Sequence, residues 1–367
     1  MTNIKKLITQ NLINIPGWRT NRHIVVFESD DWGSIRMPSI ETYESLIKNG
    51  VQLGTYGYEK VDTIASPCDL ELLFELCDSF RDINNNPLVI TANSVVANPD
   101  FEKIRKTDYS RYYWEPITTT MERYYPNQSP FPLWKEGMER MVFYPQLHGR
   151  EHVNVPMWLK SLQNNYPGAR ECFEKGVFSF LVDKGVDIRK KNTSAYYYLT
   201  KDELSIIKQS IIEAAQIFKD LFGFYSKSFI APSYKWDKSI EETLQSVGVK
   251  YLQGMFLHVE NGEKHYNYIG RKNIFGQLYL NRTAFWEYSQ NPDFDWTSDC
   301  LKRMTVSFRW HKPVTISVHR LNFIGSLSER NRDENLKRFK TLITKIQKEW
   351  PDVEFLTSDQ LGDLISR

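Results

Sequence analysis

Residues 23–36 read HIVVFESDDWGSIR, and this stretch carries most of the information about the fold. Residues 24–27 are four consecutive apolar side chains, a run typical of a strand buried in a parallel sheet. Asp30 and Asp31 follow, and Gly33 soon after permits an unusual backbone angle. We expect the two carboxylates to lie in a loop at the strand end, where α/β folds place their chemistry. Adjacent carboxylates repel, so a functional pair needs a nearby cation or split pKa values. The alternative interpretation is that the two aspartates lie in a solvent-exposed turn without a functional role.

Strand and helix patterns alternate along the rest of the chain. The clearest helix is predicted at residues 200–222, where apolar residues recur at helical spacing and a glycine follows. Apolar runs predict further strands at residues 87–91, 141–147, 227–231, 249–253, 315–319 and 353–356. About seven or eight strands alternating with helices indicate one barrel-like α/β domain over residues 1–367.

Residues 105–135 interrupt this alternation. The segment is rich in aromatic residues, contains proline and has little periodicity. Linkers are rarely so aromatic, so we interpret it as an insertion within the domain, either a lid or a lateral packing module.

Composition excludes several classes of function. The 367 residues carry a net charge of +2 without a Lys/Arg cluster, so no nucleic-acid partner is expected. No window approaches the roughly 20 apolar residues of a membrane span, and no signal-peptide core is evident. The scattered cysteines, Cys68, Cys77, Cys172 and Cys300, suggest reduced thiols and a cytoplasmic protein. The 14% aromatic content fits sugar-stacking surfaces or ordinary core packing.

Three histidines are candidates for chemistry. His148 and His152 are spaced i and i+4 in LHGREH, which on a helical turn would place both imidazoles on one face. With Asp31 they would supply three protein ligands and leave room for water and substrate, as in catalytic zinc sites. The alternative interpretation is that one of these two histidines has a capping or packing role and the other is exposed to solvent. His319 ends the strand VTISVHR and could act as a general acid.

Several short motifs together resemble those of the polysaccharide deacetylases. ESDDWGS, LHGREH, FIAPSY (229–234), FDWTSD (294–299), SVHR (317–320) and FLTSDQL (355–361) occur in the order found in this NodB-homology, carbohydrate esterase family 4 group. The resemblance spans nearly the whole chain apart from the 105–135 insertion and residues 255–285. It implies an α/β fold, a distorted (β/α)7–8 barrel of the glycoside hydrolase/deacetylase type.

The resemblance also implies roles for individual residues. Asp30 would be the catalytic base, His319 the catalytic acid, and Asp31, His148 and His152 the ligands of a divalent metal, Zn²⁺ first and Co²⁺ or Ni²⁺ next. The implied activity is removal of N- or O-acetyl groups from a carbohydrate. The substrate-binding residues would be Trp32, Ser233, Tyr234, Asp295 and Trp296, with a backbone N–H of Ser233 or Tyr234 stabilising the oxyanion.

Two departures from the family pattern affect the site. Ile230 occupies the position of the arginine that holds the base aspartate, and Arg150, Arg271 or Arg320 are the substitutes considered. Gly149 replaces the serine or threonine that usually follows the first histidine of the metal motif.

Three other functions compete with deacetylation. An HxxEH peptidase would use Glu151 as its base, but would leave the aspartate pair unexplained. A glycosidase would pair one aspartate with Glu151 or Asp237 and would leave the histidines without a role. An inactive barrel would bind glycans through Trp32, Tyr234, Trp296 and the aromatic residues of the insertion.

Overall fold

The computed structural model describes residues 3–54, 57–179, 192–260 and 263–367. The strands are β1 (Ile24–Trp32), β2 (Ile90–Val95), β3 (Ala97–Pro99), β4 (Trp114–Pro116), β5 (Phe143–Gly149), β6 (Ser228–Phe229), β7 (Tyr251–Gly254), β8 (Leu257–Glu260), β9 (Glu263–Tyr266), β10 (Leu278–Asn281), β11 (Ala284–Phe285), β12 (Val314–His319) and β13 (Glu354–Phe355).

The helices are α1 (Asn3–Ile13), α2 (Ile40–Lys48), α3 (Tyr58–Val61), α4 (Pro67–Asp78), α5 (Phe101–Lys106), α6 (Ile117–Tyr124), α7 (Phe131–Glu139), α8 (Val155–Gln163), α9 (Ala169–Glu174), α10 (Lys201–Phe222), α11 (Glu241–Ser246), α12 (Trp296–Arg309), α13 (Glu329–Glu349) and α14 (Ser358–Ser366). The helix predicted at 200–222 is confirmed as α10. It begins with a capping box at Thr200 and ends at Gly223, which has a φ of 85°. No helix in these described ranges is both long and apolar enough to cross a membrane.

The main sheet is a parallel array with β1 near its middle. Its strand order is β10-β7-β6-β5-β2-β1-β12-β11, and β13 pairs with the first residues of β1. All nine residues of β1 are buried, as the apolar run at 24–27 predicts for a strand inside a parallel sheet.

The two edge strands of this sheet are consecutive in the chain. Arg282 and Thr283 join β10 to β11, and their backbone N–H groups donate to the carbonyl oxygens of Gly254 and Thr315. Because Gly254 ends β7 and Thr315 lies in β12, these two residues bridge opposite edges of the sheet. The sheet therefore curls so that its two edge strands adjoin at one end, which confirms the expected distorted barrel.

The central strand is longer than expected. Asp30 and Asp31 lie within β1 rather than in a loop after it, so that expectation was wrong. The register against β2 shifts between Ser29 and Trp32, and Asp31 has a φ of 75°. This is a β-bulge, in which an extra residue re-aims the side chains that follow it.

The 105–135 segment packs against the barrel rather than linking parts of it. β4 pairs with β3, α6 follows directly, and the buried Trp134 of α7 contacts Trp32 and Phe143 edge-on. Of the two roles left open by the sequence, this contact fits the lateral packing module. All four cysteines are free thiols.

Candidate active site

A cavity of about 330 Å³ opens at the carboxyl ends of the central strands, within the size range of ligand sites. Its lining includes Asp30, Asp31, His148, His152, Ser233, Tyr234 and His319, all of which the sequence analysis selected. The lining also includes Arg36, Tyr58 and Gln290, which the sequence analysis did not select.

The bulge in β1 explains how two adjacent aspartates reach one cavity. Successive side chains of a regular strand point to opposite faces of the sheet. The left-handed backbone at Asp31 breaks this alternation, so Asp30 and Asp31 both line the cavity. Aspartate tolerates this backbone region better than most residues.

Asp31 lies between two imidazoles. Its Oδ1 is 3.3 Å from His148 Nε2 and 3.0 Å from His152 Nε2, and all three side chains are buried. His148 belongs to β5 and His152 follows in the loop after it. The expected helical turn at 148–152 is therefore wrong, because Gly149, with a φ of 133°, ends a strand there. A strand end followed by a turn brings the two rings together instead.

This donor set fits a divalent metal. Two atoms bound to a tetrahedral zinc at 2.0–2.2 Å are roughly 3.4 Å apart, close to the spacings at Asp31. His148 Nδ1 lies 2.9 Å from the Ile230 carbonyl, so a neutral ring that donates there leaves Nε2 free as a ligand. Burial and the nearby Arg36 lower the pKa of His152 to about 4, which keeps that imidazole neutral. His152 Nδ1 is buried without an acceptor among the described residues.

Asp30 has a different partner, Arg282. The guanidinium donates from Nη1 to Asp30 Oδ2 and from Nη2 to Oδ1, both at 2.6 Å, and Asn93 Nδ2 donates to Oδ1 at 2.8 Å. Burial would raise the pKa of Asp30, but Arg282 lowers it below its ordinary value. The carboxylate is therefore held ionised and fixed in orientation.

Arg282 was not among the arginines considered from the sequence. It follows β10 at the barrel seam, and its Nε donates to Glu28 Oε2 at 2.6 Å. Arg150 instead pairs with Glu151, and Arg320 with Asp62. The signal was present: Arg282 follows the apolar run at 278–280 by two positions, much as Asp30 follows the run at 24–27 by three. It lies in the part of the chain outside the recognised motifs.

His319 lies beside Asp30 at the end of β12, in register with it. His319 Nε2 is 3.7 Å from Asp30 Oδ2, and Nδ1 is 2.6 Å from Glu287 Oε1. Burial works against the imidazolium, but Glu287, together with Asp30 and Asp31, outweighs it and raises the pKa of His319 to about 9. Asn322 and Gln290 in turn donate to Glu287 Oε2.

Glu287 was missed because the sequence analysis selected Asp295 and Trp296 instead. Asp295 caps α12, where its Oδ1 accepts from the Ser298 N–H, and the Trp296 indole donates to the Asn291 carbonyl. Neither residue is among the described residues that line the cavity. The expectation that they bind substrate therefore finds no support in this geometry.

Trp32 is also misplaced as a substrate-binding residue. It is 1% exposed, its indole donates to Ser29 Oγ, and its ring packs on Trp134 and Phe143. No ring face is free for a sugar, so this expectation is corrected.

Ser233 and Tyr234 do reach the cavity. They belong to a tight turn at residues 232–234, in which both have a left-handed backbone with φ values of 58° and 54°. The Tyr234 N–H donates to the Ala231 carbonyl, which leaves the Ser233 N–H as the candidate oxyanion donor. The Tyr234 hydroxyl accepts from Arg282 at 2.6 Å, and burial raises the pKa of Tyr234 to about 12.

The competing carboxylates lie outside this arrangement. Glu151 is buried and accepts two hydrogen bonds from Arg150, and Asp237 accepts from the Ser239 N–H at the start of a helical turn. Neither is among the described cavity-lining residues, so the geometry supports neither the HxxEH peptidase nor the glycosidase.

Comparisons with known proteins bear on the fold. No protein-family model matches this chain, and no curated protein sequence matches it. A solved structure from Parabacteroides distasonis, assigned as a glycoside hydrolase/deacetylase, is 10% identical with a TM-score of 0.53, over 94% of this chain and 72% of that one. A Pseudomonas aeruginosa protein assigned as a polysaccharide deacetylase is 11% identical with a TM-score of 0.46, over 94% of this chain and 91% of its own. A 4-α-glucanotransferase from Thermococcus litoralis is 9% identical with a TM-score of 0.46, over 92% of this chain, which spans 40% of that protein's length.

The Parabacteroides structure establishes the fold class. This chain has the barrel fold of the glycoside hydrolase/deacetylase type, and the resemblance inferred from its motifs is confirmed at the level of fold. Fold does not fix function, so the activity has to be argued from the site.

Proposed function

We propose that this protein is a divergent, metal-dependent deacetylase that removes N- or O-acetyl groups from a carbohydrate. The observation that carries the proposal is the separation of two adjacent carboxylates by their partners. Asp31 faces two imidazoles, whereas Asp30 faces Arg282 and His319. A metal ligand and a base are the two roles that such a pair can fill without mutual repulsion.

His148, His152 and Asp31 would hold the metal, with Zn²⁺ the first candidate. When bound, the metal would polarise the acetyl carbonyl and make a coordinated water more acidic. Asp30, fixed by Arg282, accepts the proton of the attacking water. The Ser233 N–H donates to the oxygen that gains charge.

His319 completes the reaction as the general acid. Its raised pKa keeps the imidazole protonated at neutral pH, so it can donate a proton to the leaving amine or alcohol. Asp30 and His319 begin in opposite protonation states because Arg282 stabilises the anion and Glu287 stabilises the cation. This is the arrangement that a paired base and acid require.

Acetate release from a panel of N- and O-acetylated sugars and oligosaccharides tests the proposal. We expect zinc-loaded protein to release acetate from at least one of them, and Asp30→Asn to lower the rate by about 10²–10⁴-fold. Asp295→Asn serves as the matched control, because that carboxylate caps a helix away from the cavity. Glycan binding that survives both a chelator and Asp30→Asn, with no acetate released, would contradict deacetylation and support a binding protein.

A further inference from the structure

Arg36 is a buried cation beside the proposed metal site, a position that needs an explanation. It lies in the connection between β1 and α2, is 5% exposed, and lines the cavity. A positive charge near a divalent metal opposes metal binding by Coulomb repulsion. The presence of Arg36 there therefore lowers the affinity for the metal, which indicates that this residue has a compensating role.

The two carboxylate oxygens of Asp31 have different neighbours. Oδ1 faces His148 and His152, whereas Oδ2 accepts a hydrogen bond from Arg36 Nη2 at 3.3 Å. The guanidinium thus donates a hydrogen bond to the carboxylate oxygen that does not face the imidazoles.

Arg36 is itself held from several sides. Its guanidinium carbon lies 5.3 Å from the centre of the Tyr58 ring and 5.5 Å from that of Phe178. Its Nε is 3.7 Å from Asp62 Oδ2 and finds no hydrogen-bond acceptor among the described residues. Asp62 is fully buried and is fixed by Arg320 at 2.9 Å. A guanidinium that leaves one buried N–H unpaired is positioned by its surroundings rather than by its own best hydrogen bonds.

We propose that Arg36 is a positioning residue that keeps Asp31 to a single metal-facing oxygen. The inference rests on the proposed metal-dependent function. A catalytic site needs open positions beside its three protein ligands. A carboxylate free to bind through both oxygens would fill one of these positions, and Arg36 prevents this by engaging Oδ2. Asp62 and Arg320 hold Arg36 in place for that purpose.

The proposal predicts that metal affinity and turnover change in opposite directions. In Arg36→Met the cation is lost and Oδ2 is released, so Zn²⁺ should bind about tenfold tighter or more. Turnover should fall, because an open position is lost. Arg303→Met is the matched control, since Arg303 also pairs with an aspartate and lies over an aromatic ring, but on α12. It should leave the affinity unchanged.

The test is a Zn²⁺ titration against a chromophoric chelator, using the metal-free full chain, together with the visible spectrum of the Co²⁺-loaded protein. A second bound oxygen raises the coordination number of Co²⁺ and weakens its absorption. Tighter Zn²⁺ binding and weaker Co²⁺ absorption in Arg36→Met support the proposal; equal or weaker binding in a folded variant overturns it.

If Arg36→Met does not fold, Arg36→Lys decides, because a lysine point donor cannot hold Asp31 and Asp62 together. Weaker Co²⁺ absorption in Arg36→Lys supports the proposal, and an unchanged spectrum overturns it. A wild-type protein that binds no metal would instead contradict the proposed function itself.

Discussion

Asp30 and Asp31 are neighbours in the chain, yet each has its own set of partners. The sequence identified both aspartates, His148, His152 and His319, because polar residues at the ends of apolar runs and the i, i+4 spacing of two histidines are visible in one dimension. It did not identify Arg282 or Glu287, since their importance depends on contacts made across 252 and 32 residues of sequence. A missing motif arginine at 230 therefore did not mean a missing cation.

Replacing Arg282 tests whether this residue performs the role of the arginine that the family motif would place at position 230. Arg282→Met should lower kcat/KM by about 10²–10³-fold, because Asp30 loses both its orientation and the charge that keeps it ionised. Metal content should stay at the wild-type level, since the hydrogen bonds that Arg282 makes within the described part of the chain do not reach Asp31 or the histidines. Elemental analysis and steady-state kinetics measure the two effects.

A folded Arg282→Met protein with full activity would contradict this role. Because Glu28 and Asp30 would be left as buried charges, the variant should be destabilised by about 3–5 kcal/mol. Arg282→Lys retains the charge but not the bidentate geometry, and should lose less activity than Arg282→Met.

The pH dependence of activity tests the pair formed by His319 and Glu287. The groups facing His319 are Glu287, Asp30, Asp31 and Tyr58. Since the acid must be protonated, kcat/KM should fall as the pH rises through about 9. Removing the Glu287 carboxylate lowers the pKa of His319, so Glu287→Gln should move this alkaline limb to lower pH. Asp295→Asn should not move it. An identical limb in Glu287→Gln and wild type would contradict the assignment.

At the scale of elements, the ends of β1 and β5 shape the site. The bulge in β1 turns Asp31 into the cavity, and the end of β5 at Gly149 brings His152 back beside His148. Apolar periodicity predicted that these strands exist, but it could not place a bulge, which depends on the register against β2. Gly149 could be recognised as a departure from the family motif, but its conformation could not.

Gly149 should not tolerate a side chain. Its φ is 133°, and a Cβ there would lie 2.5 Å from the Tyr196 hydroxyl oxygen. Gly149→Ala should therefore lower the free energy of unfolding by about 1–3 kcal/mol from backbone strain, and further through the clash. Gly223→Ala is the control, since Gly223 also has a positive φ but no atom within 4 Å of the added Cβ. Urea denaturation measures both; equal losses would contradict the clash.

At the scale of the whole molecule, the alternation of strands and helices was sufficient to predict a barrel. The way the barrel closes was not predictable, because Arg282 and Thr283 bridge two strands that are distant in sequence. Nor did composition show that the aromatic residues at 105–135 serve packing, because an aromatic residue in a core and one on a sugar-binding surface look alike in a sequence.

Trp134 tests whether the 105–135 segment is integral to the core. Its side chain is fully buried against Trp32, Phe143 and Phe222. Trp134→Ala should lower the free energy of unfolding by about 3–5 kcal/mol. Glu122→Ala, at an exposed position of the same segment, should change it by less than about 0.5 kcal/mol. Similar small losses in both variants would indicate a segment that only covers the barrel.

In the proposed mechanism it is Asp31, not Asp30, that binds a metal together with His148 and His152. Elemental analysis of the purified wild type, Asp30→Asn and Asp31→Ala tests it most directly. We predict about one divalent ion per chain in wild type and in Asp30→Asn, and little or none in Asp31→Ala. Absence of metal from the wild type, or its retention by Asp31→Ala, would contradict the account.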